Sequence, residues 1–353
     1  MKLLFFGTSI SAPAKSRHAR ILDALLDGVA DRGHHVVFVE SSPVEASDPV
    51  DSTYCKILRY DDWDVFKPQI EREAETASAV ILTDGFAEGA RGVDWLLDLP
   101  VPAHVYYSLD PWEALKQFDA EGAAPWLRAD QVASFDLMFS VAGGPALEAF
   151  RSRWGAKEAV PLYEAIDTAE FYPRQPVDKY VCDLALVADR DASTQGVVES
   201  FVLEAAKTLP RHRFVVAGAG WENAGSWPDN IDRFGETSLE TRAHIYSSAR
   251  LVLVPVLAGS VDHAMPIELL EPAACAASCA VIGRPGLTDL FTRDREILVP
   301  ESAADLIPYL TDFGDADLVT LGHNAEKAVL LKYAKLPASR RFEQRVARKF
   351  FGA

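Results

Sequence analysis

The residues best suited to chemistry in this 353-residue chain lie near its third quarter, where His263 opens the segment HAMPIELLE that ends at Glu271. Its apolar spacing predicts a helix. The first amides of a helix have no partners within it and carry partial positive charge, so they attract phosphate oxygens. A carboxylate one or two turns further on accepts hydrogen bonds from a sugar diol. Glu271 is that candidate acid, whereas Glu268 is more simply explained as a solvated side chain.

A second candidate phosphate site follows a strand predicted at Asp183–Ala188. Arg190 comes just after the strand, and hydroxyl side chains precede the next predicted helix. Guanidinium groups and helix amides both favour phosphate oxygens. The alternative is that Arg190 pairs in solvent with Asp189 or Asp191.

Loops that follow predicted strands of the first half carry small residues. Such residues let a ligand approach the backbone, and ligands of open parallel sheets bind beyond the carboxyl ends of the strands. The first loop has no GxGxxG motif, and plain turns into helices explain the same glycines. The candidate cleft residues are Gly7, Ser9, Gly143 and Gly144.

Asp110 and His18 are polar groups of the first half that could orient a reacting hydroxyl. Asp110 follows the apolar strand predicted at Ala103–Ser108 and points to the same cleft. Pro111 suits the first position of a helix, so an N-cap role for Asp110 is at least as well supported as a catalytic one.

Short runs of Val, Leu, Ile and Phe alternate with longer amphipathic stretches, a pattern typical of parallel α/β sheets. The pattern occurs twice and is interrupted at 165–179, a segment with Pro173 and Pro176 that is either an interdomain linker or a long loop within one domain. We expect an α/β protein with two Rossmann-like domains, residues 1–165 and 166–336. Strands are predicted near Lys2–Gly7, His35–Glu40, Ala79–Thr83, Ala103–Ser108, Asp136–Val141, Ala159–Leu162, Asp183–Ala188, Arg213–Ala217, Leu251–Pro255, Ala280–Ile282 and Glu296–Val299.

The end of the chain, 337–353, predicts a basic amphipathic helix. We expect its apolar stripe to pack on a domain rather than to bind a membrane or nucleic acid. The first domain is one on which it could pack. The formal net charge of -17 opposes non-specific attraction to nucleic acid. No apolar run approaches the ~20 residues of a membrane-spanning helix. Four cysteines without CxxC spacing suggest reduced thiols in a cytoplasmic protein: Cys55, Cys182, Cys275 and Cys279.

Several motifs recur in the order and spacing of one known family. Arg32-Gly33-His34 ends the first predicted helix, Ser140 to Pro145 reads SVAGGP, Leu270 to Cys275 reads LEPAAC, and Arg295 to Val299 reads REILV. In these motifs, and up to about residue 310, the sequence resembles the CgeB-like spore-maturation family of glycosyltransferases, a branch near the retaining GT-B group. The resemblance implies the GT-B fold, in which two Rossmann-like parallel-sheet domains face each other across an interdomain cleft.

The resemblance also implies roles for individual residues. In the wider retaining group an E-x7-E motif occupies the place of His263 to Glu271, and Glu271 inherits the second acid, which binds the donor ribose. The first acid, which contacts the transferred sugar, is replaced by His263. Arg190 would neutralise the diphosphate, the amides before Glu271 would bind it, and the turn at Phe234 would lie against the base. The implied donor-binding residues are Glu271, Arg190, Met265, Pro266, Ile267, Gly218, Phe234 and Gly235.

The implied activity is transfer of a sugar from a UDP-, GDP- or TDP-sugar to an acceptor hydroxyl that the sequence does not identify. Retention of configuration follows from the resemblance. No metal site and no cofactor are expected, because this fold stabilises the leaving diphosphate with basic side chains and helix amides. The catalytic candidates are Asp110, His263 and His18. Two alternatives stay open: an epimerase or phosphorylase of the same fold, and a non-catalytic nucleotide-sugar-binding protein, which the change at His263 favours.

Overall fold

The computed structural model describes residues 1–11, 16–42, 52–222, 225–255, 262–265 and 267–351. The chain divides into two compact units. The first comprises Met1–Ala165 together with Lys335–Ala353, and the second comprises Ile166–Ala334. Each unit has its own hydrophobic core around its own sheet.

The first unit is built on a seven-stranded parallel sheet. In chain order, the strands of the unit are β1 (Lys2–Phe6), β2 (His35–Ser41), β3 (Lys56–Tyr60), β4 (Ala79–Thr83), β5 (His104–Ser108), β6 (Ala123–Ala124), β7 (Leu127–Arg128), β8 (Leu137–Ser140) and β9 (Ala159–Pro161). Of these, β6 and β7 form a separate antiparallel pair outside the seven-stranded sheet. The strand order is β3-β2-β1-β4-β5-β8-β9. Every residue of β4 is buried, as expected for a central strand with helices on both faces.

In the described part of this unit, five α-helices connect these strands. They are α1 (Arg17–Asp31), α2 (Trp63–Ala74), α3 (Gly89–Leu97), α4 (Pro111–Glu121) and α5 (Gly144–Ser152). The caps of α1 show why it has these bounds. The Ser16 hydroxyl accepts a hydrogen bond from the Ala19 amide at 3.1 Å, and Gly33 just past the helix has a φ of 80°. A glycine in the left-handed region is the usual end of a helix.

The second unit has a five-stranded parallel sheet of order β12-β11-β10-β13-β14. Its strands are β10 (Cys182–Val187), β11 (Phe214–Ala217), β12 (Ile231–Phe234), β13 (Ala249–Val254) and β14 (Cys279–Val281). Its helices are α6 (Ala192–Val197), α7 (Glu204–Thr208), α8 (Leu239–Ser248), α9 (Ile267–Ala274), α10 (Leu287–Leu290), α11 (Ala303–Thr311) and α12 (Asp315–Lys332). A π-helical stretch, Val198–Leu203, joins α6 to α7.

Four strands escape prediction from the sequence, namely β3, β12 and the two-residue strands β6 and β7. One predicted strand is reduced to a bridge. β3 and β12 lie at sheet edges and carry charged residues, so neither presents the apolar run that marks the buried strands. The strand predicted at Glu296–Val299 was wrong in extent, because only Leu298 pairs with β14, through Ala280. The remaining predicted strands coincide with observed ones to within one or two residues.

The terminal helix α13 (Lys335–Phe351) packs on the first sheet. Phe342 and Val346 are fully buried, and the Phe342 ring lies 5.8 Å from that of Phe5. Its basic side chains meet acids of the same unit: Lys349 Nζ lies 2.8 Å from Glu158. The helix is therefore part of the first core rather than a free basic surface. Within the described ranges, no helix has both the length and the hydropathy needed to cross a bilayer.

Candidate functional site

The second sheet reverses its strand order between β10 and β13, and open parallel sheets bind ligands beyond the carboxyl ends of their strands at such a point. The predicted donor residues follow these strand ends along the chain. Arg190 comes after β10, Gly218 after β11 and His263 after β13. Backbone hydrogen bonds join neighbouring loops: Arg190 donates to Ala219 at 2.9 Å, and Gly218 donates to Phe234 at 3.1 Å.

Position 218 requires a glycine for structural reasons. Its φ is 140°, and a Cβ built on it would overlap the carbonyl oxygen of Ala188 at the end of β10. The same carbonyl accepts a hydrogen bond from the Trp221 indole at 2.7 Å. The β11 loop thus lies directly against the β10 loop, which only a glycine permits.

Gly218→Ala is expected to lower the free energy of unfolding by about 1–3 kcal/mol, because backbone strain adds to the overlap with Ala188. Gly196 in α6 is the matched control, since nothing lies within 4 Å of a Cβ placed there. Gly196→Ala should stabilise the protein by roughly 0.5–1 kcal/mol. Urea denaturation followed by circular dichroism measures both, and an equal change in the two variants would contradict this assignment.

Arg190 is exposed at the same edge. Its guanidinium donates to the Gln195 side chain at 3.1 and 3.3 Å and lies 5.9 Å from the ring centroid of Trp221. Asp189 instead accepts from the Ala219 amide, and Asp191 caps α6 by accepting from Thr194. Each neighbouring aspartate is thus engaged with backbone, and the guanidinium is held at the sheet edge by neutral partners. That arrangement suits an anion-binding group.

Glu271, on α9, is only 5% exposed, and its carboxylate contacts side chains of α8. Its Oε2 accepts a hydrogen bond from Tyr246 Oη at 3.0 Å and forms an ion pair with Arg242. Burial, followed by the charge of Glu271, raises the pKa of Tyr246 well above its usual value, so the phenol donates as a neutral group. Arg242 and Tyr246 therefore fix the orientation of this carboxylate. Neither partner was predicted from the sequence.

His263 has a left-handed backbone with a φ of 57°. Its amide donates to Pro285 at 2.9 Å, and a Cβ on Gly286 would overlap its ring. Arg284 donates to the carbonyl of Ala264 at 2.6 Å, and this hydrogen bond joins the loop after β14 to the residues before α9. Nδ1 of His263 lies 3.7 Å from the exposed Asp289 carboxylate.

The other predicted residues near α9 and β12 are placed as follows. Met265 is fully buried, and Ile267 begins α9. Phe234 ends β12, with its ring 5.0 Å from that of Tyr180, and Gly235 follows it against the Glu222 side chain. Pro266 lies outside the described residues.

In the first unit, the glycines predicted to line a cleft have local structural reasons. A Cβ on Gly7 would overlap the Thr83 hydroxyl, because β1 and β4 end side by side. Gly143 is the N-cap of α5, and Gly144 has a φ of 52°. The Ser9 hydroxyl is buried, with no hydrogen-bond partner among the described residues.

Sequence reasoning missed two buried acids at the carboxyl edge of the first sheet. Glu40 near the end of β2 accepts from the Ile10 amide at 2.8 Å and from Arg59 at 3.2 Å, which fixes the loop containing Ser9. Asp84 follows β4 directly and is fully buried. Burial raises the pKa of Asp84 to about 6, against the opposing effect of hydrogen bonds from Tyr106 and the backbone. The position of Asp84 directly after an apolar strand is the feature of the sequence from which it could have been predicted.

Asp110 occupies the N-cap position of α4, yet its side chain makes no capping hydrogen bond. Its own amide donates to Asp84 Oδ2 at 2.6 Å. His18 lies in the first turn of α1 and is half-buried. The N-cap alternative for Asp110 is therefore right about its position and wrong about its side chain.

Comparison with known proteins relates this chain to glycosyltransferases. Residues 193–339 match the family described as "Glycosyl transferase-like". No curated protein matches the sequence. Sucrose-phosphate synthase from Thermosynechococcus elongatus is 15% identical with a TM-score of 0.66, each chain covering 100% of the other.

Two further structures were solved with UDP. Anabaena Alr3699/HepE in complex with UDP is 12% identical with a TM-score of 0.68, covering 98% of this chain and 100% of that one. An alpha-glucosyltransferase in complex with UDP is 11% identical with a TM-score of 0.67, again covering 98% and 100%. At these identities the likeness shows the fold, which is GT-B, with a Rossmann-like parallel sheet in each unit. Together with the match over most of the second unit, it classes the chain as a glycosyltransferase.

Proposed function

We propose that this glycosyltransferase uses a nucleoside-diphosphate sugar as donor, a UDP-sugar in the first instance, and transfers the sugar to an acceptor hydroxyl. The observation that carries the proposal is the carboxyl edge of the second sheet. There, Arg190 and the segment leading into α9 follow the two strands that flank the reversal of strand order. Structures of the same fold were solved with UDP, which favours uridine as the base.

In this proposal each group has a physical task. The Arg190 guanidinium and the first amides of α9 neutralise the diphosphate, whose negative charge grows as it leaves. Glu271 binds the ribose diol in an orientation set by Arg242 and Tyr246. His263 lies beside the transferred sugar, where an imidazole replaces the acid of related enzymes. Asp110, with His18 as the second candidate, orients the acceptor hydroxyl.

The proposal includes retention of configuration and membership of the CgeB-like branch. It also includes independence from metal, because the leaving charge is met by a guanidinium and helix amides. A cytoplasmic location belongs to it as well. Each of the four cysteines keeps its thiol, as reducing compartments favour, and three of them are buried.

The test is titration calorimetry of Arg190→Ala against UDP-, GDP- and TDP-glucose, with nucleoside diphosphate release followed for each donor that binds. Loss of a charge-assisted contact to phosphate should weaken donor binding by roughly 10- to 100-fold. Arg211→Ala removes another exposed arginine, at the amino end of β11, and should leave affinity unchanged. Binding that requires an added divalent ion would contradict the metal-independent form.

Two results would contradict the proposal, each in a different way. If no sugar nucleotide binds at millimolar concentration, the donor site itself is wrong. If one binds with Arg190-dependent affinity but never releases its diphosphate, even with a panel of sugar and lipid acceptors, the chain is a binding protein, as the change at His263 would then explain.

A further inference from the structure

Asp84 is a buried acid that the proposed transfer does not use. It is fully buried one residue beyond β4, and its carboxylate accepts four hydrogen bonds. Oδ1 accepts from Tyr106 Oη at 2.6 Å. Oδ2 accepts from the amides of Leu109 and Asp110 at 2.7 and 2.6 Å, and from the Ser108 hydroxyl at 3.3 Å.

All four donors belong to β5 or to the turn that leads into α4. The residue at the N-cap position normally satisfies amides at the start of a helix with its own side chain. Here the carboxylate of Asp84, from a neighbouring strand, binds the backbone of the turn, while the Asp110 side chain makes no capping bond. The backbone of Asp110 is therefore held by another residue, while its own carboxylate takes no part in the cap.

The donors around position 84 require an acceptor at both oxygens of its side chain. An asparagine oxygen could accept from the same two amides, but its NH2 would face Tyr106 Oη, which already accepts from the Trp126 indole at 3.2 Å, and the Tyr106 hydroxyl would lose its acceptor. Ionised, Asp84 bears the cost of burial, since its pKa is raised to about 6. The carboxylate therefore satisfies a set of donors that a neutral amide does not, and these bonds join it to the turn at the start of α4.

We propose that Asp84 is the positioning residue of the acceptor side: its carboxylate holds the turn at Ser108 to Asp110, so that the Asp110 carboxylate stays clear of its own helix and available to the acceptor hydroxyl. This inference rests on the proposed function in assigning Asp110 to the acceptor. Asp84 itself touches no substrate.

The proposal gives the turn a pH dependence. The titratable groups that bear on Asp84 are Tyr106 from β5 and Asp110 at the start of α4. Oδ2 already accepts from three donors, so a proton enters at Oδ1 and forces the Tyr106 hydroxyl to turn away. The neutral carboxyl is a weaker acceptor for the two amides. The turn should therefore loosen as the pH falls through about 6.

The sign of the effect on stability is opposite to that on the turn. Because the folded-state pKa of about 6 lies above the usual 3.8, the folded protein binds a proton more readily than the unfolded chain between these values. Stability from this group is therefore greatest at low pH and falls as the pH rises towards 6. Asp84→Asn should abolish that pH-dependent component, because an amide does not titrate in this range.

The experiment follows the amide protons of Leu109 and Asp110 by NMR from pH 4.5 to 8 in the full chain. In the wild type both resonances should titrate together with a midpoint near pH 6. Asp84→Asn should remove the transition, and Tyr106→Phe, which deletes one donor to the carboxylate, should shift it to higher pH. Asp61→Asn, an exposed aspartate of the same unit, should leave it unchanged. Amides that do not titrate in the wild type overturn the proposal.

Turnover supplies the second readout, with UDP release from UDP-glucose as the probe. Asp84→Asn should reduce kcat by at least about tenfold, the equivalent of one misoriented catalytic group, with the Kd for UDP-glucose unchanged. It should also remove the acid limb near pH 6. An unchanged kcat and pH profile would refute the positioning role while the transferase survives. If UDP-glucose binds neither protein, the proposed function fails, and the amide titration still decides whether Asp84 controls the turn.

Discussion

Glu271→Ala is expected to lower the free energy of unfolding by about 3 kcal/mol, the lower end of the range for breaking a buried ion pair. The variant leaves the Arg242 guanidinium between α8 and α9 without its carboxylate, and Tyr246 loses its acceptor. The Arg242 side chain is 24% exposed, which lets water recover part of the loss. Urea denaturation at pH 7.5 measures the change.

Two further variants separate charge from packing. Glu271→Gln keeps an acceptor for Tyr246 and should lose less than Glu271→Ala. In the double variant Glu271→Leu with Arg242→Met, both charges are gone, so stability should return close to that of the wild type. If Glu271→Ala proves as stable as the wild type, the pair between α8 and α9 is not formed in solution. Donor-binding experiments at this position should use Gln, because loss of affinity in the alanine variant would mix unfolding with ligand contact.

Phe342→Ala is expected to lower the free energy of unfolding by about 3–5 kcal/mol, as for other buried phenylalanines replaced by alanine. The ring is fully buried in the core of the first unit and lies 5.3 Å from Phe139 as well as 5.8 Å from Phe5. The lost contacts are those that hold α13 on the first sheet. Loss of this one ring should therefore weaken the attachment of α13 to the core, which Val346 also holds.

Leu336→Ala is the matched control, since Leu336 lies on the same helix and is 48% exposed. It should change stability by less than about 0.5 kcal/mol. Differential scanning calorimetry is the measurement of choice, because a chain of two units need not unfold in one step. If two transitions are resolved, Phe342→Ala should shift only that of the first unit. A shift of equal size in Leu336→Ala would mean that α13 is held by something other than its buried stripe.

The fold class could be predicted because it depends on local patterns. Runs such as Ala79–Thr83 are apolar over the length of a strand, and the alternation of such runs with amphipathic helices specifies a parallel sheet. The same reasoning missed β3 and β12. Edge strands have one neighbour and one exposed side, so Lys56 and Arg233 are tolerated there, and local hydrophobicity no longer marks the strand.

The candidate site residues of the second unit could be predicted because each of them follows the end of a strand. Arg190, Gly218 and His263 all lie in loops at the carboxyl edge of the second sheet, because a parallel sheet brings every such loop to the same side. Their positions along the chain were enough to predict that. Their roles in donor binding stay predictions, for which the variants above are the tests.

The sequence by itself determined which residues form the buried strands, where the glycines and caps bound α1, and which polar groups follow strand ends. Only the tertiary structure decided what those polar groups do. Asp84 meets its partners 22 to 26 residues away, and Glu271 meets Tyr246 across 25 residues. Burial turns such distant pairs into strong determinants of charge and orientation, since a carboxylate removed from water must find its donors within the fold. No periodicity along the chain encodes that requirement, because it arises only when strands and helices close around the side chain.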